Sequence, residues 1–271
     1  MPGSWRELNR ARAELRAGRF DLAIDFQGLL KSALLARAAR PVRILGFHKD
    51  LLRERAAGLF YSDQVASRSR HVVDQNLDLV AAAGASERRV EFPLPECRAE
   101  GDVPDSDFVL ASPIAGWKAK QWPAAYYAEL ARLLRQRHGW TLVINCAPAE
   151  REEAEAIVAQ APEGCCLLNG TSIEGLIGVT RLSRAVVGVD SGPMHLAAAL
   201  GKPGVALFGP TDPARNGPYA SSFAVIRSQE AATTYRRSNN IAPSMQAINP
   251  KQVMDALETQ LSRQTVLEFK S

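Results

Sequence analysis

Apolar residues with two different spacings alternate along this chain. Some recur every three to four residues, as on the buried face of a helix, and others form short runs of the length of a strand. Gly18 follows the first helical stretch, and Pro41 ends the second. In the first part of the chain this pattern predicts a helix at 4–17, a strand at 21–25, a helix at 31–39, a strand at 42–47, and helices at 56–61 and 71–83.

Residues 91–107 interrupt the pattern, because they are rich in proline and acidic residues and have no apolar period. We place a domain border there, which gives predicted domains 1–105 and 106–271. Beyond it the sequence predicts strands at 108–111, 140–145 and 165–168, two more that end before Asp190 and Gly209, and helices at 124–138, 150–160, 172–182, from about Pro193, and at 251–261 with Asn249 as its cap. This alternation indicates an α/β fold with a doubly wound parallel sheet in each half.

The loop that begins at Asp190 joins a β-branched run to a short helix rich in alanine and leucine. In open α/β sheets ligands bind at such carboxyl ends of strands. Ser191 can cap the helix and Gly192 lets a ligand approach the backbone, so the first helical amides can hold a phosphate. Asp190 and His195 then remain for hydroxyl groups or for bracing the loop. The competing interpretation is a plain helix cap beside a buried histidine.

Three more predicted strand ends carry polar residues at the same edge of the sheet. Lys120 lies between the loop at Gly116 and a helix start, where an ammonium group can neutralise a diphosphate. Glu150 opens a later helix and can bind ribose hydroxyls or favour the helix dipole. Thr211 lies in the loop after the run that ends before Gly209. A surface lysine and a helix-start carboxylate are the alternatives for the first two, and the loops together favour a ligand site.

Composition is that of a globular protein, with 46% hydrophobic and 23% charged residues and a length of 271 residues, enough for two domains. We expect a cytoplasmic location, because the sequence shows no signal-peptide pattern and no apolar run long enough to span a bilayer. The cysteines lack CxxC spacing, which argues for buried thiols rather than a zinc site or a disulfide framework. They are Cys97, Cys146, Cys165 and Cys166.

The formal net charge is +4, and the stretch from Lys31 to Arg55 contains seven basic residues against two acidic ones. Such a patch can meet phosphorylated lipid head groups, nucleic acid or only solvent. Nucleic acid is the weaker option, because neither a binding motif nor aromatic residues accompany the basic stretch. A dinucleotide-dependent oxidoreductase is also disfavoured, since no predicted strand is followed by GxGxxG.

Several longer motifs point to one family. They are KxWP at 120–123, APxE at 147–150, DSGxxH at 190–195, FGPTDP at 208–213 and the tail at 245–253. With these motifs the chain resembles the heptosyltransferases of lipopolysaccharide assembly, in glycosyltransferase family 9, over nearly its whole length. Residues 25–32 and 53–61 look like the heptosyltransferase I branch. The resemblance implies a GT-B-like fold with two Rossmann-type domains.

The resemblance also implies roles for single residues. Lys120 would contact the diphosphate of ADP-heptose and assist its departure, and Glu150 would hold the adenosine ribose. The other implied donor-binding residues are Gly116, Asp190, Ser191, Gly192, His195 and Thr211. The acceptor would be the Kdo of Kdo-lipid A at the inner face of the inner membrane. The implied acceptor-binding residues are Lys31, Lys49, Arg53 and Arg55.

The implied reaction is an inverting transfer, in which a carboxylate deprotonates the Kdo hydroxyl and ADP leaves. We expect neither a metal nor a cofactor besides the donor, because Lys120 and helix amides can take a metal's place at the diphosphate. We also expect a monomeric, peripheral membrane enzyme without a nucleic-acid partner.

One feature of the family has no counterpart in this sequence. Members open with a strand and a Gly-Asp pair whose aspartate is the general base, and no residue here matches it. We therefore expect that roughly sixty residues, about two βα units, are missing and that the N-terminal domain is truncated. A misassigned start, a fragment and a degraded copy would each explain the missing segment. For the function, the alternatives are a non-catalytic remnant that binds a nucleotide sugar, and a related heptosyltransferase with another acceptor.

Overall fold

The computed structural model describes residues 5–268. It divides into two compact units, Met1–Val90 and Glu91–Ser271. The domain border that the sequence predicts, after residue 105, lies 15 residues beyond the border between these units, which follows Val90.

The first unit contains a parallel sheet in the order β1-β2-β3. Its elements are helix α1 (Trp5–Ala17), strand β1 (Leu22–Asp25), helix α2 (Leu30–Ala39), strand β2 (Arg43–Phe47), a 3₁₀ helix (Arg55–Phe60), strand β3 (Asp63–Val65) and helix α3 (Val72–Ala82). The predicted helix at 4–17 is confirmed from Trp5 onward, and Ser4 lies outside the described residues. Ala33, Leu45, Ala57 and Leu79 form the centre of the core.

Two predictions for this unit are wrong in detail. The predicted α-helix at 56–61 is a 3₁₀ helix that includes Gly58, a residue that disfavours the α-helix interior. Strand β3 was not expected, because it has only three residues and two of them, Asp63 and Gln64, are polar. Pairing with the buried strand β2 holds these residues extended, which their own pattern does not indicate.

The second unit contains a fully parallel sheet in the order β6-β5-β4-β7-β8-β9. Its strands are β4 (Phe108–Ser112), β5 (Thr141–Cys146), β6 (Cys166–Gly170), β7 (Ala185–Val189), β8 (Gly204–Phe208) and β9 (Phe223–Arg227). Its helices are α4 (Ala124–His138), α5 (Arg151–Val158), α6 (Ile173–Leu182), α7 (Gly192–Ala199), α8 (Pro213–Asn216), α9 (Pro243–Gln246) and α10 (Pro250–Glu268). Numbered from β4, this is the 3-2-1-4-5-6 order of the doubly wound Rossmann fold.

The central strands of this sheet are buried on both faces, as their near-continuous apolar runs predict. One face packs on α4, α5 and α10, where the Trp122 indole Nε1 donates to the Ile248 carbonyl at 2.8 Å. The other face packs on α6 and α7, with Met194 at its centre. Gly188 in β7 permits this close approach, because a Cβ there would lie 2.7 Å from the Met194 Cβ.

The segment that the sequence marks as a linker packs on the second unit. Asn169 Nδ2 donates to the carbonyls of Glu100 and Asp102 at 2.9 and 3.0 Å. Gly178 in α6 lies so close to the backbone of Arg98 that a Cβ would approach it to 2.3 Å. Residues of this segment are therefore held by specific contacts, although their composition is typical of a linker.

The last helix begins as predicted and ends later. Asn249 Oδ1 accepts a hydrogen bond from the Gln252 amide at 2.9 Å, so the predicted cap is confirmed. Helix α10 extends past the predicted end at residue 261 to Glu268. Within residues 5–268, no helix combines the length and the apolar content that crossing a bilayer requires. All four thiols are free, with Cys146 and Cys165 buried and Cys97 and Cys166 partly buried.

A half-buried carboxylate, Asp78, links the stability of the first unit to pH. Hydrogen bonds from Ser67, Arg88 and Ser69 lower the pKa of Asp78 from 3.8 to about 2. Because the folded-state pKa lies below the unfolded value, this carboxylate stabilises the fold above about pH 4, and the contribution is lost as the pH falls to about 2. We expect Asp78→Asn to lower the free energy of unfolding at pH 6 and to match the wild type near pH 2 in denaturant titrations. A difference that stays constant with pH would contradict this assignment.

Candidate functional site

The topological switch point of the larger sheet lies between β4 and β7. These neighbouring strands pair in register, with Ser112 opposite Gly188. Strands β5 and β6, which follow β4 in sequence, lie on one side of this pair, and β8 and β9, which follow β7, lie on the other. The loops that follow the two strands therefore leave a crevice at the carboxyl edge of the sheet, where ligands bind in this fold. The predicted donor-site residues Gly116, Lys120, Asp190 and Ser191 all belong to these two loops.

A partly buried ion pair joins the two loops. Lys120 Nζ lies 2.7 Å from Asp190 Oδ2 and 3.4 Å from the Asp190 carbonyl oxygen. The exposed fractions of the two side chains are only 17% and 10%, so solvent screens the pair less than a surface pair. The Lys120 ammonium also lies 4.6 Å from the centre of the Trp117 ring. Of the two predicted uses of Asp190, the structure shows the bracing contact.

Helix α7 begins directly after this pair, but its cap differs from the prediction. Ser191 occupies the N-cap position, yet its side chain makes no capping hydrogen bond. Its Oγ is instead buried and has no hydrogen-bond partner in the described part of the chain. The first amides of α7, from Gly192 onward, leave the positive end of the helix dipole beside Asp190. An anion with acceptor oxygens would satisfy both the amides and the Ser191 hydroxyl.

A cavity of about 520 Å³ opens beside the two loops. This volume lies in the usual range for small-molecule sites. Its polar lining includes Ser112, Asn145, Glu150, Thr171, Ser172 and Ser191. Ile114, Leu176 and Leu196 form an apolar part of the wall, so the cavity suits a flat apolar group joined to a polar one.

Four polar residues of the cavity wall were not predicted from the sequence, namely Ser112, Asn145, Thr171 and Ser172. Ser112 ends β4 with a buried Oγ that has no partner among residues 5–268, and Ser172 caps α6. Asn145 Nδ2 donates to Thr171 Oγ1 at 2.8 Å and to Asn169 Oδ1 at 3.2 Å, and these bonds fix the Asn145 and Thr171 side chains in the cavity wall. The sequence does contain a signal, since Ser112 ends the apolar strand β4 and Asn145 follows the apolar run Leu142–Ile144 of β5.

Glu150 lines the cavity and also supports its own loop. Its Oε2 accepts a hydrogen bond from the Ala147 amide at 3.0 Å, so it closes the short 3₁₀ turn Pro148–Glu150. Both predicted uses of this carboxylate, a ligand contact and a local structural role, remain compatible with that position. The α-helix itself begins one residue later than predicted, at Arg151.

Of the remaining predicted donor-site residues, Gly116 lines the cavity, whereas His195 and Thr211 lie at the same edge of the sheet without lining it. His195 is exposed on α7, so the alternative of a buried histidine is wrong. Gly116 lines the cavity and has open space where a Cβ would stand. Thr211 is 1% exposed in the loop after β8, and its Oγ1 has no hydrogen-bond partner among the described residues.

In the first unit, the basic stretch from Lys31 to Arg55 is divided between two edges of the small sheet. Lys31, Lys49, Arg53 and Arg55 are exposed and follow the carboxyl ends of β1 and β2. The other basic residues, Arg37, Arg40 and Arg43, lie toward the opposite edge, where Arg43 pairs with Asp63 at 3.2 Å. The stretch is therefore not one continuous surface, and only the four predicted acceptor residues share an edge.

A buried carboxylate organises the loops at that carboxyl edge. Asp25 is 4% exposed and accepts hydrogen bonds from the Ser32 hydroxyl at 2.8 Å and the Tyr61 hydroxyl at 2.6 Å. Its other oxygen accepts from the amides of Gln27 and Gly28 at 2.9 and 3.2 Å. Burial of the Tyr61 hydroxyl and its hydrogen bond to Asp25 raise the pKa of Tyr61. Asp25 thus ties β1, α2 and the 3₁₀ helix together beside Lys31 and Arg55.

Comparisons with known proteins agree with these features. The family described as glycosyltransferase family 9 (heptosyltransferase) matches residues 8–245. Lipopolysaccharide heptosyltransferase 1 of Pseudomonas aeruginosa is 34% identical over 81% of this chain, and the aligned part covers 62% of that protein. Its counterpart in Escherichia coli K12 is 30% identical over 82% of this chain and 70% of its own length. The chain thus spans less than two thirds of the Pseudomonas protein.

A solved structure matches the fold. The structure of E. coli heptosyltransferase WaaC with ADP gives a TM-score of 0.73 at 26% identity, and the match covers 95% of this chain and 79% of that one. The predicted α/β, GT-B-like fold class is confirmed by this likeness and by the two parallel sheets.

Proposed function

Because the chain belongs to glycosyltransferase family 9, the heptosyltransferases, we propose that it transfers heptose from ADP-heptose to an acceptor of lipopolysaccharide inner-core assembly. The acceptor that we propose is the Kdo of Kdo-lipid A. The donor binds to the second unit, at the crevice between the loops after β4 and β7. The observation that carries this proposal is the Lys120–Asp190 pair, which lies directly before the N-terminus of α7.

The donor's parts match the groups at this edge. The cavity takes the adenosine, with its apolar wall for the base and Glu150 for the ribose. The diphosphate lies at the amides of α7 and the Ser191 hydroxyl, which is buried and lacks a partner among residues 5–268. An E. coli relative whose structure is described with ADP supports this choice of nucleotide.

The transfer itself is an attack by an acceptor hydroxyl on the anomeric carbon of the heptose. The new C–O bond forms as the bond to the diphosphate breaks, so the anomeric configuration inverts. A base takes the hydroxyl proton, and ADP departs with its new negative charge stabilised by Lys120 and the helix amides. These groups are positive before the reaction begins, so the residues at the diphosphate do not require a metal.

In the first unit, Lys31, Lys49, Arg53 and Arg55 bind the acidic acceptor. All are exposed and lie at the carboxyl edge of the small sheet. Phosphate and carboxylate groups of a lipid-linked sugar are the anions that such a surface attracts. This part of the proposal also places the chain at the inner face of the inner membrane as a monomeric peripheral protein.

Two measurements on the full chain test the proposal. Isothermal calorimetry should detect binding of ADP and ADP-heptose with micromolar affinity, and mass spectrometry should detect heptose added to Kdo-lipid A. Absence of ADP binding in a folded sample would overturn the donor assignment. Binding without transfer to this acceptor would favour a non-catalytic nucleotide-sugar-binding protein, unless another lipid-linked sugar accepted the heptose.

A further inference from the structure

An irregular segment crosses the carboxyl edge of the larger sheet after β9. We call residues 228–242 the edge segment, which contains neither helix nor strand. The Thr234 amide donates to the Pro210 carbonyl at 2.7 Å, beside β8, and the Ala242 amide donates to the Ala119 carbonyl at 3.3 Å, in the loop after β4. Because β7 lies between β8 and β4, the segment passes the strand end that carries Asp190.

Arg227, a partly buried residue at the end of β9, holds the start of the edge segment in place. The Arg227 guanidinium donates to the Gly209 carbonyl at 3.3 Å, the Ala231 carbonyl at 3.1 Å and Thr233 Oγ1 at 2.8 Å. These bonds hold the segment to the loop after β8. Arg237 lies between this anchored start of the segment and the Ala242–Ala119 hydrogen bond at its other end.

Arg237 shares an aromatic ring with the lysine of the proposed donor site. Its guanidinium carbon lies 5.8 Å from the centre of the Trp117 ring, and the Lys120 ammonium lies 4.6 Å from the same centre. Both distances are in the range of cation–π attraction, so the ring keeps two positive groups close together.

The basic residues near the Trp117 ring differ in whether a carboxylate pairs with them. Lys120 is paired with Asp190 at 2.7 Å, and Lys118 is paired with Glu153 at 3.3 Å. Arg237 forms no ion pair with any carboxylate in the part of the chain that the structure describes. The Lys120–Asp190 pair has a net charge of zero, so the positive potential that these loops offer a diphosphate comes mainly from the α7 amides, and a further cation beside them would strengthen its binding.

We propose that Arg237 is a further donor-binding residue, whose guanidinium binds the diphosphate of the nucleotide sugar beside Lys120. This inference rests on the proposed function, since it presumes that ADP-heptose is the donor. A guanidinium suits the task, because its planar group can stack on Trp117 and still present paired N–H donors to phosphate oxygens. The edge segment thus supplies positive charge that the loops after β4 and β7 do not.

Calorimetric titration of variants of the whole 271-residue chain with ADP and AMP tests this role. Arg237→Gln should weaken ADP binding by about tenfold, the scale of one charge-assisted contact, and AMP binding by less than about threefold. Arg237→Lys should give an intermediate loss for ADP. The control is Arg236→Gln, which removes the same charge from the adjacent position and should leave ADP affinity within about twofold of wild type.

The outcomes separate this inference from the proposed function. If the wild-type chain fails to bind ADP, both fail together. If the wild type binds ADP and Arg237→Gln binds it equally well, only the role of Arg237 is overturned. An equal loss in Arg236→Gln would also overturn it, because the effect would then come from general charge rather than from the position over Trp117.

Discussion

Lys120→Ala is expected to weaken ADP binding by at least about a hundredfold, the largest effect that we predict for any single donor-site residue. Two changes act in the same direction. The variant loses a charge-assisted contact to the diphosphate, worth about 1.5–3 kcal/mol. It also leaves the Asp190 carboxylate, which is only 10% exposed, without its partner at 2.7 Å and facing the anion. Calorimetric titration with ADP measures the loss directly.

The second change can be isolated with a double variant. In Lys120→Ala/Asp190→Asn the uncompensated carboxylate is gone, so we expect ADP to bind about tenfold more tightly than to Lys120→Ala alone. This tenfold gain corresponds to about 1.4 kcal/mol, and subtracting the separately measured effect of Asp190→Asn alone gives the coupling free energy of the pair. If the two substitutions instead weakened binding additively, Asp190 would act on the ligand itself rather than through Lys120.

Lys118→Ala is the matched control for this pair of variants. Lys118 and Lys120 are the two ends of a short 3₁₀ helix, Lys118–Lys120, in the loop after β4. The Lys118 ammonium, however, pairs with Glu153 at 3.3 Å, and its side chain is 52% exposed. Its removal should change ADP affinity by less than about twofold, as for an exposed ion pair. A large loss in this control would mean that the net charge of the loop, and not the Lys120–Asp190 contact, governs binding.

Most of the second unit could be predicted, because its strands are recognisable as short apolar runs in the sequence. Runs such as Phe108–Ser112 and Ala185–Val189 are apolar, are bounded by turn residues and are buried on both faces. Strand β9 (Phe223–Arg227) was missed, because it is an edge strand in which Val225 is 44% exposed and no helix of clear period precedes it. Pairing with β8 determines its conformation, and single-sequence patterns do not contain that information.

The site was predicted where residues stand at strand ends and missed where they depend on distant contacts. The position of Lys120 and Asp190 at one edge follows from the alternation of strands and helices. Their ion pair does not, since it joins residues in two loops on different sides of the switch point. For the same reason the sequence suggested a Ser191 cap, whereas the fold directs this hydroxyl to a buried position without a capping contact.

In the first unit, Asp25→Ala is expected to lower the free energy of unfolding by about 3–5 kcal/mol. The substitution removes the common acceptor of four hydrogen bonds and leaves the Ser32 and Tyr61 hydroxyls and two backbone amides without it. Breaking a buried polar network in this way is among the most costly single substitutions. Denaturant unfolding followed by circular dichroism measures the change.

Two further variants show whether the network or the charge accounts for that loss. Tyr61→Phe removes one of the four donors and should cost about 1–2 kcal/mol, because Asp25 keeps the other three. Asp50→Ala removes an exposed carboxylate of the same unit, paired with His48 at 3.1 Å, and should cost less than about 1 kcal/mol. If Asp25→Ala cost no more than Asp50→Ala, Asp25 would not hold β1, α2 and the 3₁₀ helix together. The arrangement of Lys31 and Arg55 would then have to come from the apolar contacts around Leu45 and Ala57.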